Sequence, residues 1–439
     1  MQPTGRGPLP KPRRAPDRDQ ASEVVGLWVG LRSRWALVSL ATFLFWFAAH
    51  SLRPYITLRL DALGASGVEI GWIVAAYPLL SLFVALPGGR AIDRLGLRRV
   101  LFGSLAGTAL TGAAYAVATT PLQILGVQVV NGIVEVGAWL ALQALASHAG
   151  SGAFLTRQLS LFSLGWGAGI AVGPVVGAAV YGRFGFAPLG LLYLATTALA
   201  LACVALVPYR DPAKDPDRAP GGAVRDLRDL AGRPAVRAVL LSSFVALYVI
   251  SIKNSFYTLY LEQSGVPLSR IGLLLSVAGL ASLAIRVPLP HLLHRWGTTR
   301  VLVIGMWMAV AGVTSTPWLT SFPALMVGAA FMGAGYGSNP PVTVELLART
   351  SGPGERGMAM ALRVSANRSA QVVQPLVFGA MVALTGMAAA FSLSGALLAG
   401  LTGWASRQVT RGDVGGASPD VEQDGPEPVG GDGASEPSR

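Results

Sequence analysis

Displaced by 201 residues, this 439-residue chain reads as itself a second time. Thr57-Leu58-Arg59-Leu60-Asp61 reappears as Thr258-Leu259-Tyr260-Leu261-Glu262, Gly64 falls on Gly265, Ile70-Gly71 on Ile271-Gly272 and Pro87 on Pro288. Arg94-x-Gly96-x-x-Arg99-Val100-Leu101 falls on Arg295-x-Gly297-x-x-Arg300-Val301-Leu302. The register persists at Gly132/Gly333, Pro174/Pro375 and Gly185/Gly386. One constant offset through so many turn-forming residues is the signature of an internal repeat.

The repeated unit is apolar. Soluble chains carry about a quarter charged residues; this one has 13% charged and 52% hydrophobic residues, with a mean hydropathy of +0.53. Runs such as Trp35–Ala49, Gly71–Leu86, Ala238–Ile252 and Val301–Val313 recur along the chain. With their flanks they approach the roughly 20 residues that cross a bilayer, and there are about twelve, six per half. Backbone polar groups barred from lipid make these segments helices. The expected fold class is therefore an all-α integral membrane bundle of two parallel six-helix repeats, the copies related by an axis along the membrane normal. The expected spans are 34–58, 69–90, 99–118, 121–147, 157–181 and 187–207, then 236–261, 270–292, 299–316, 322–346, 357–383 and 387–406.

This divides the chain into a tail at 1–33, a first half at 34–207, a linker at 208–235, a second half at 236–407 and a tail at 408–439. Both tails and the linker have the Pro, Gly and charge content of unstructured segments. The first 33 residues lack the short apolar core and cleavage site of a signal peptide. The net charge of +12 falls almost wholly on one set of loops, with Arg53, Arg59, Arg183 and Arg270 the exceptions. That pattern is the positive-inside rule rather than a nucleic-acid surface, and it expects both termini in the cytoplasm and a plasma-membrane location. The lone Cys203 excludes an internal disulfide, and no Cys/His grouping has metal-ligand spacing. No phosphate-binding P-loop or nucleophile–base pair appears, so no cofactor, metal or enzymatic activity is expected.

Gly89-Arg90-Ala91-Ile92-Asp93-Arg94-Leu95-Gly96-Leu97-Arg98-Arg99 joins spans two and three. It resembles the signature loop of the major facilitator superfamily, G-x-L-a-D-R-x-G-R-R, matched at Gly89, Asp93, Arg94, Gly96 and Arg98, with Arg99 extending the basic run. In the copy 201 residues on, His294 replaces the aspartate. The resemblance implies an alternating-access transporter in which Asp93 and its arginines latch a cytoplasmic gate. In span five, Gly165-x-Gly167-x-Gly169-x3-Gly173-Pro174-x2-Gly177-Ala178 is similar to the motif of the superfamily's drug:proton antiporters, matched at Gly169, Gly173, Pro174 and Gly177. Ordinary close helix packing also uses such spacing. Those antiporters carry an arginine in span four where this chain has Gln128.

Ionisable groups within the spans are functional candidates by default. Glu135, near the middle of span four, is the proton-coupling candidate, with a structural ion pair as the other reading. Asn131, Trp166, Lys253, Asn339, Asn367 and Arg368 are the substrate-cavity candidates, with Trp46, Trp139 and Tyr336 at similar depth. Arg286 and Arg363 are placed where long side chains snorkel to the interface. Asn339-Pro340-Pro341 is expected to interrupt span ten. Cations outnumber carboxylates inside the spans, which favours an anionic or zwitterionic solute.

The reading is a transporter of a small organic solute, proton-coupled, exporting it. Uptake of an organic anion or metabolite by proton symport is the alternative, and a non-transporting sensor or scaffold of the same fold is the rival from another class. The implied partners are the lipid bilayer, the solute and protons, with no nucleic acid and the monomer as the working unit.

Overall fold

The computed structural model describes the backbone of residues 18–148, 152–209, 230–351 and 355–413, and within these the side chains other than those of 18–33, 85–91, 93, 356–357 and 409–413. The described residues contain helices and no strand. The first half comprises α1 (Arg18–Ala62), α2 (Gly67–Leu95), α3 (Leu97–Val117), α4 (Pro121–Ser147), α5 (Gly152–Phe184) and α6 (Phe186–Ala205). The second comprises α7 (Pro234–Lys253), α8 (Phe256–Gln263), α9 (Leu268–Ala284), α10 (Leu289–Thr314), α11 (Phe322–Thr350), α12 (Arg356–Thr385) and α13 (Met387–Asp413). Helices α7 and α8 together form one crossing, which leaves the twelve crossings that the sequence predicts. Among the described residues nine helices are long and apolar enough to span a bilayer by length and composition. Large apolar side chains such as Trp72, Phe83, Leu110 and Val117 point outward, as a lipid-facing perimeter requires.

The duplication recurs in backbone conformation. Gly64 and Gly265 both have φ of 79°, Gly96 and Gly297 have 91° and 78°, and Gly185 and Gly386 have 84° and 82°. Each sits at a turn between helices, or in the case of Gly297 at a kink inside α10, with a positive φ that a β-carbon disfavours. Packing repeats as well. A β-carbon on Gly132 would meet the Tyr77 carbonyl oxygen at 2.5 Å, and one on Gly333 would meet that of Ala278, the copy of Tyr77.

Some boundaries differ from those expected. Helix α1 starts at Arg18, inside the segment read as a tail, and α13 runs to Asp413. The eighth crossing ends at Ala284 rather than near 292, because Pro288 and Pro290 restart the chain as α10 after a turn. The break in regular hydrogen bonding expected at Pro340-Pro341 does not end the helix: α11 continues through both prolines. They still withhold the amide donors for the carbonyls of Tyr336 and Gly337. The break that does occur lies at Asn254–Ser255, where Ser255 leaves helical geometry with φ −130° and ψ −97°. Gln374, which replaces the glycine of the first copy, accepts hydrogen bonds from Ser251 (2.6 Å) and Ser255 (3.4 Å) there.

The halves meet through α2 against α12 and α5 against α9. These are copies of one contact. Gly71 lies on the carbonyl of Pro375, and Gly272 lies on that of Pro174 at 2.9 Å from where its β-carbon would be. Both pairs lie toward the face that carries the Gly64 and Gly265 turns, here called the hairpin face. There Thr57 also donates to the Ser255 carbonyl (3.1 Å) and Gln263 to Asp61 (3.3 Å). One apolar core runs through both halves at this face. Toward the opposite face, where the linker attaches, the first half has a separate core built from Phe45, Leu101, Leu142 and Val204. The halves are thus joined at the hairpin face, with the first half packed on its own at the linker face.

Candidate functional site

Helix α4 carries Asn131 and Glu135 one turn apart, so both face the centre of the first half. Glu135 is 3% exposed and all its acceptor capacity is directed at donors. Arg53 of α1 forms a salt bridge with Oε1, and Tyr77 of α2 donates to the same oxygen at 2.9 Å. Asn131 Nδ2 donates to Oε2 at 2.9 Å and the Tyr193 hydroxyl reaches it at 3.4 Å. The second layer is equally complete. The Asn131 carbonyl oxygen accepts from Thr111 (3.0 Å) and Tyr193 (3.2 Å), and Tyr115 donates to Gln128 at 2.8 Å. Arg53 also lies over the Tyr77 ring at 4.6 Å. Taking a charge pair out of water is tolerable when each remaining lone pair finds a donor, and here five helices supply them.

Asn131 was expected to face a solute. Its side chain makes three hydrogen bonds, donating to Glu135 and accepting from Thr111 and Tyr193. Arg53 stood in the sequence as an isolated outer cation, and it is the partner of Glu135. Tyr77 and Tyr193 were missed altogether. A signal existed, because they oppose Ala278 and Ser394 in the copy, and mismatch between copies is where asymmetric chemistry resides.

Across the interface the second half is the reverse. Lys253, the last residue of α7, is 1% exposed. No salt bridge among the described residues includes it, and its ammonium lies 5.7 Å from the centre of the Tyr336 ring. Tyr336 takes the position of Glu135 in the copy. Its hydroxyl is buried without a partner, as are both amide atoms of Asn339, which is 3% exposed, and the Asn367 carbonyl oxygen. Arg368 is half-buried and donates to Gln371 at 3.1 Å; it does not pair with Glu135. Arg286 and Arg363 do not snorkel. Arg286 lies over the Trp166 ring of the first half at 5.4 Å, and buried Arg363 donates to Thr343 at 2.8 Å. A small cavity of about 50 Å³, lined by Arg53, Tyr77, Gln128, Asn254 and Gln371 together with Ile56, Val74 and Pro78, lies beside this region.

Trp46, Trp139 and Trp166 converge, with ring centres 5.0 Å, 5.8 Å and 5.7 Å apart. His50, one turn along α1 from Trp46, lies 5.6 Å from it. The glycines of the antiporter-like motif do not face this region. Gly169, Gly173 and Gly177 bring α5 onto the α1 backbone at Phe47 and Ser51, and the Pro174 carbonyl accepts from Tyr55 at 2.6 Å. The stripe is thereby accounted for as helix packing. In the signature loop, Gly96 closes α2 by donating to the Ile92 carbonyl, Arg98 lies over Phe102 at 5.4 Å, and Arg94 and Arg99 are exposed. Gly89 and Asp93 lie outside the residues whose side chains are described, so the expected latch remains a sequence inference.

A duplicated membrane bundle whose polar groups gather at mid-depth between its halves is the architecture of a secondary transporter. The family model of the Major Facilitator Superfamily matches residues 38–297 and 239–415, and the chain belongs to that superfamily. Among its relatives, the maltose permease of Geobacillus stearothermophilus is 27% identical over 64% of this chain and 71% of its own length. The multidrug resistance protein MdtG of Salmonella paratyphi C is 23% identical over 79% of this chain and 88% of its own. The crystal structure of the human organic anion transporter MFSD10 (TETRAN) superposes with a TM-score of 0.62 at 19% identity, covering 85% of this chain and 99% of that one. The chain is a multi-pass membrane transporter and not an enzyme.

Proposed function

We propose that this transporter moves a small organic anion together with a proton. The observation that carries the reading is Lys253, an ammonium buried between helices with no salt bridge to a carboxylate among the described residues. A lone buried charge is costly unless a counter-charge arrives, and an anionic solute supplies one. Its neighbours Tyr336 and Asn339 offer the unpartnered hydroxyl and amide that would complete such a site. The human relative named as an organic anion transporter accords with this choice.

Coupling follows from the pair in the other half. While Glu135 is ionised it holds Arg53. Protonating Glu135 releases that guanidinium beside Lys253, adding positive charge where the anion binds. Proton and anion then favour each other's binding, which is the thermodynamic basis of symport. Export is the second reading, favoured by the MdtG relative. Under an inside-negative potential an outgoing anion gains about 2.3 kcal/mol per charge per 100 mV and needs no proton. Both readings place the termini and the linker in the cytoplasm, the chain in the plasma membrane and the monomer as the working unit.

The test reconstitutes the full chain in proteoliposomes, adds a panel of mono- and dicarboxylates, and follows internal pH with an entrapped dye. Symport predicts acidification of the lumen on anion addition, abolished in Glu135→Gln, which still exchanges labelled for unlabelled anion. Anion movement without proton movement in the parent protein would overturn the coupling and leave export down the potential.

A further inference from the structure

The tryptophan cluster has a property that core packing does not explain. Buried indoles normally donate their N–H to a partner, yet Nε1 of both Trp46 and Trp166 is buried without one. All three rings are partly accessible rather than sealed. They lie toward the middle of the bundle on α1, α4 and α5, at the boundary between the halves, where Arg286 of the second half already covers the face of Trp166. Around them the unsatisfied groups are mostly donors: two indole N–H groups, Arg286 Nε, the Tyr336 hydroxyl and the Asn339 amide nitrogen. Lys253 adds an ammonium, and His50 lies 5.6 Å from the Trp46 ring.

Donors and cations on the second half, set near aromatic faces of the first, select for two things in one molecule. An acceptor-rich anionic group satisfies the first, and a flat π-system satisfies the second, by offset stacking and edge contacts. Resting on the anion reading above, we infer that the transported solute is an aromatic or otherwise planar conjugated acid. Its anionic group sits at Lys253, Tyr336 and Asn339 of the second half, and its ring lies against Trp46 and Trp166 of the first. One molecule would thereby bridge the two halves, which makes the occupied state differ mechanically from the empty one.

Purified full-length protein in detergent can be tested by thermal shift with three probes: benzoate, cyclohexanecarboxylate and benzyl alcohol. The first two share charge and size and differ in the π-system; the third keeps the ring and loses the charge. Benzoate, or its larger analogue indole-3-acetate, is expected to bind about tenfold more tightly than cyclohexanecarboxylate, roughly one factor of ten being the worth of a good aromatic pair. Trp166→Leu should erase that ratio, while Trp166→Phe should keep most of it and serves as the folding control. Equal binding of benzoate and cyclohexanecarboxylate would overturn the π-subsite and leave the anion reading intact. Benzyl alcohol binding as well as benzoate, unaffected by Lys253→Met, would overturn the anion reading and leave the aromatic contact standing. Stabilisation by none of the aromatic acids would overturn the inference.

Discussion

At the same depth, on helices that are copies of each other, the two halves have opposite chemistry. The first half has closed its polar groups into a network in which Arg53, Tyr77, Asn131, Glu135 and Tyr193 satisfy one another. The copies of these residues are Asn254, Ala278, Met332, Tyr336 and Ser394, and the network is absent from the second half. In its place that half offers an unpaired ammonium, a free hydroxyl and a free amide. The difference teaches that duplication supplied a symmetric frame whose two copies have since diverged in their polar chemistry. A self-satisfied network needs no further partner, whereas buried polar groups left unpaired are costly until one is supplied.

The comparison can be broken most severely at Arg53. Arg53→Met leaves Glu135 buried without its cation, and truncating one partner of such a pair costs about 3–5 kcal/mol. A large fall in melting temperature is expected, with partial recovery in Arg53→Met/Glu135→Leu, which removes both charges. A single variant as stable as its parent would show that Glu135 needs no partner. Lys253→Met should act with the opposite sign. Removing a lone buried charge should leave the ligand-free protein as stable or more so, while solute affinity falls on the order of hundredfold, as for other buried charges at binding sites. If transport persists in Lys253→Met, the second half is not the anion site, and the non-transporting scaffold gains ground if no solute is moved by the parent protein either.

Smaller effects test the frame. Gly71→Leu places a side chain against the Pro375 carbonyl and should weaken closure of the hairpin face. The residues Asp61 and Gln263, hydrogen-bonded across the halves, provide the readout. In a Cys203→Ser background, Asp61→Cys with Gln263→Cys should cross-link readily. Adding Gly71→Leu should slow cross-linking by about tenfold, equivalent to roughly 1.4 kcal/mol. The smallest change is Tyr193→Phe, which removes two long hydrogen bonds and should cost about 1 kcal/mol, seen as a modest thermal shift with anion affinity unchanged.

Much of the frame was legible because turns and close contacts demand particular residues. Gly64, Gly96 and Gly185 recur at their copies since each needs a positive φ, and the repeat is visible without coordinates. Glu135, Lys253 and Asn339 stood out because polar groups at mid-membrane are costly. Their partners did not. That Arg53 pairs with Glu135 depends on how α1 turns against α4, and separation in sequence carries no trace of it. Tyr77 and Tyr193 read as ordinary membrane aromatics until the folded bundle aims their hydroxyls at one carboxylate. The glycine stripe of α5 was legible only as small-residue spacing, which suits a transport motif and a tight seam on α1 equally. The continuous α11 is a similar case, because two prolines forbid two hydrogen bonds without forbidding the helix.

The clasp at the hairpin face has one further consequence. Gly71 on Pro375 and Gly272 on Pro174 are the same contact made twice, on opposite sides of the bundle's axis. Undoing one while the other holds would tilt the halves without separating them, gaining no passage and losing packing. Such a doubled seam is expected to open at both contacts together rather than one at a time. Its opening would be registered as a jump between populations rather than a gradual widening, whatever molecule triggers it.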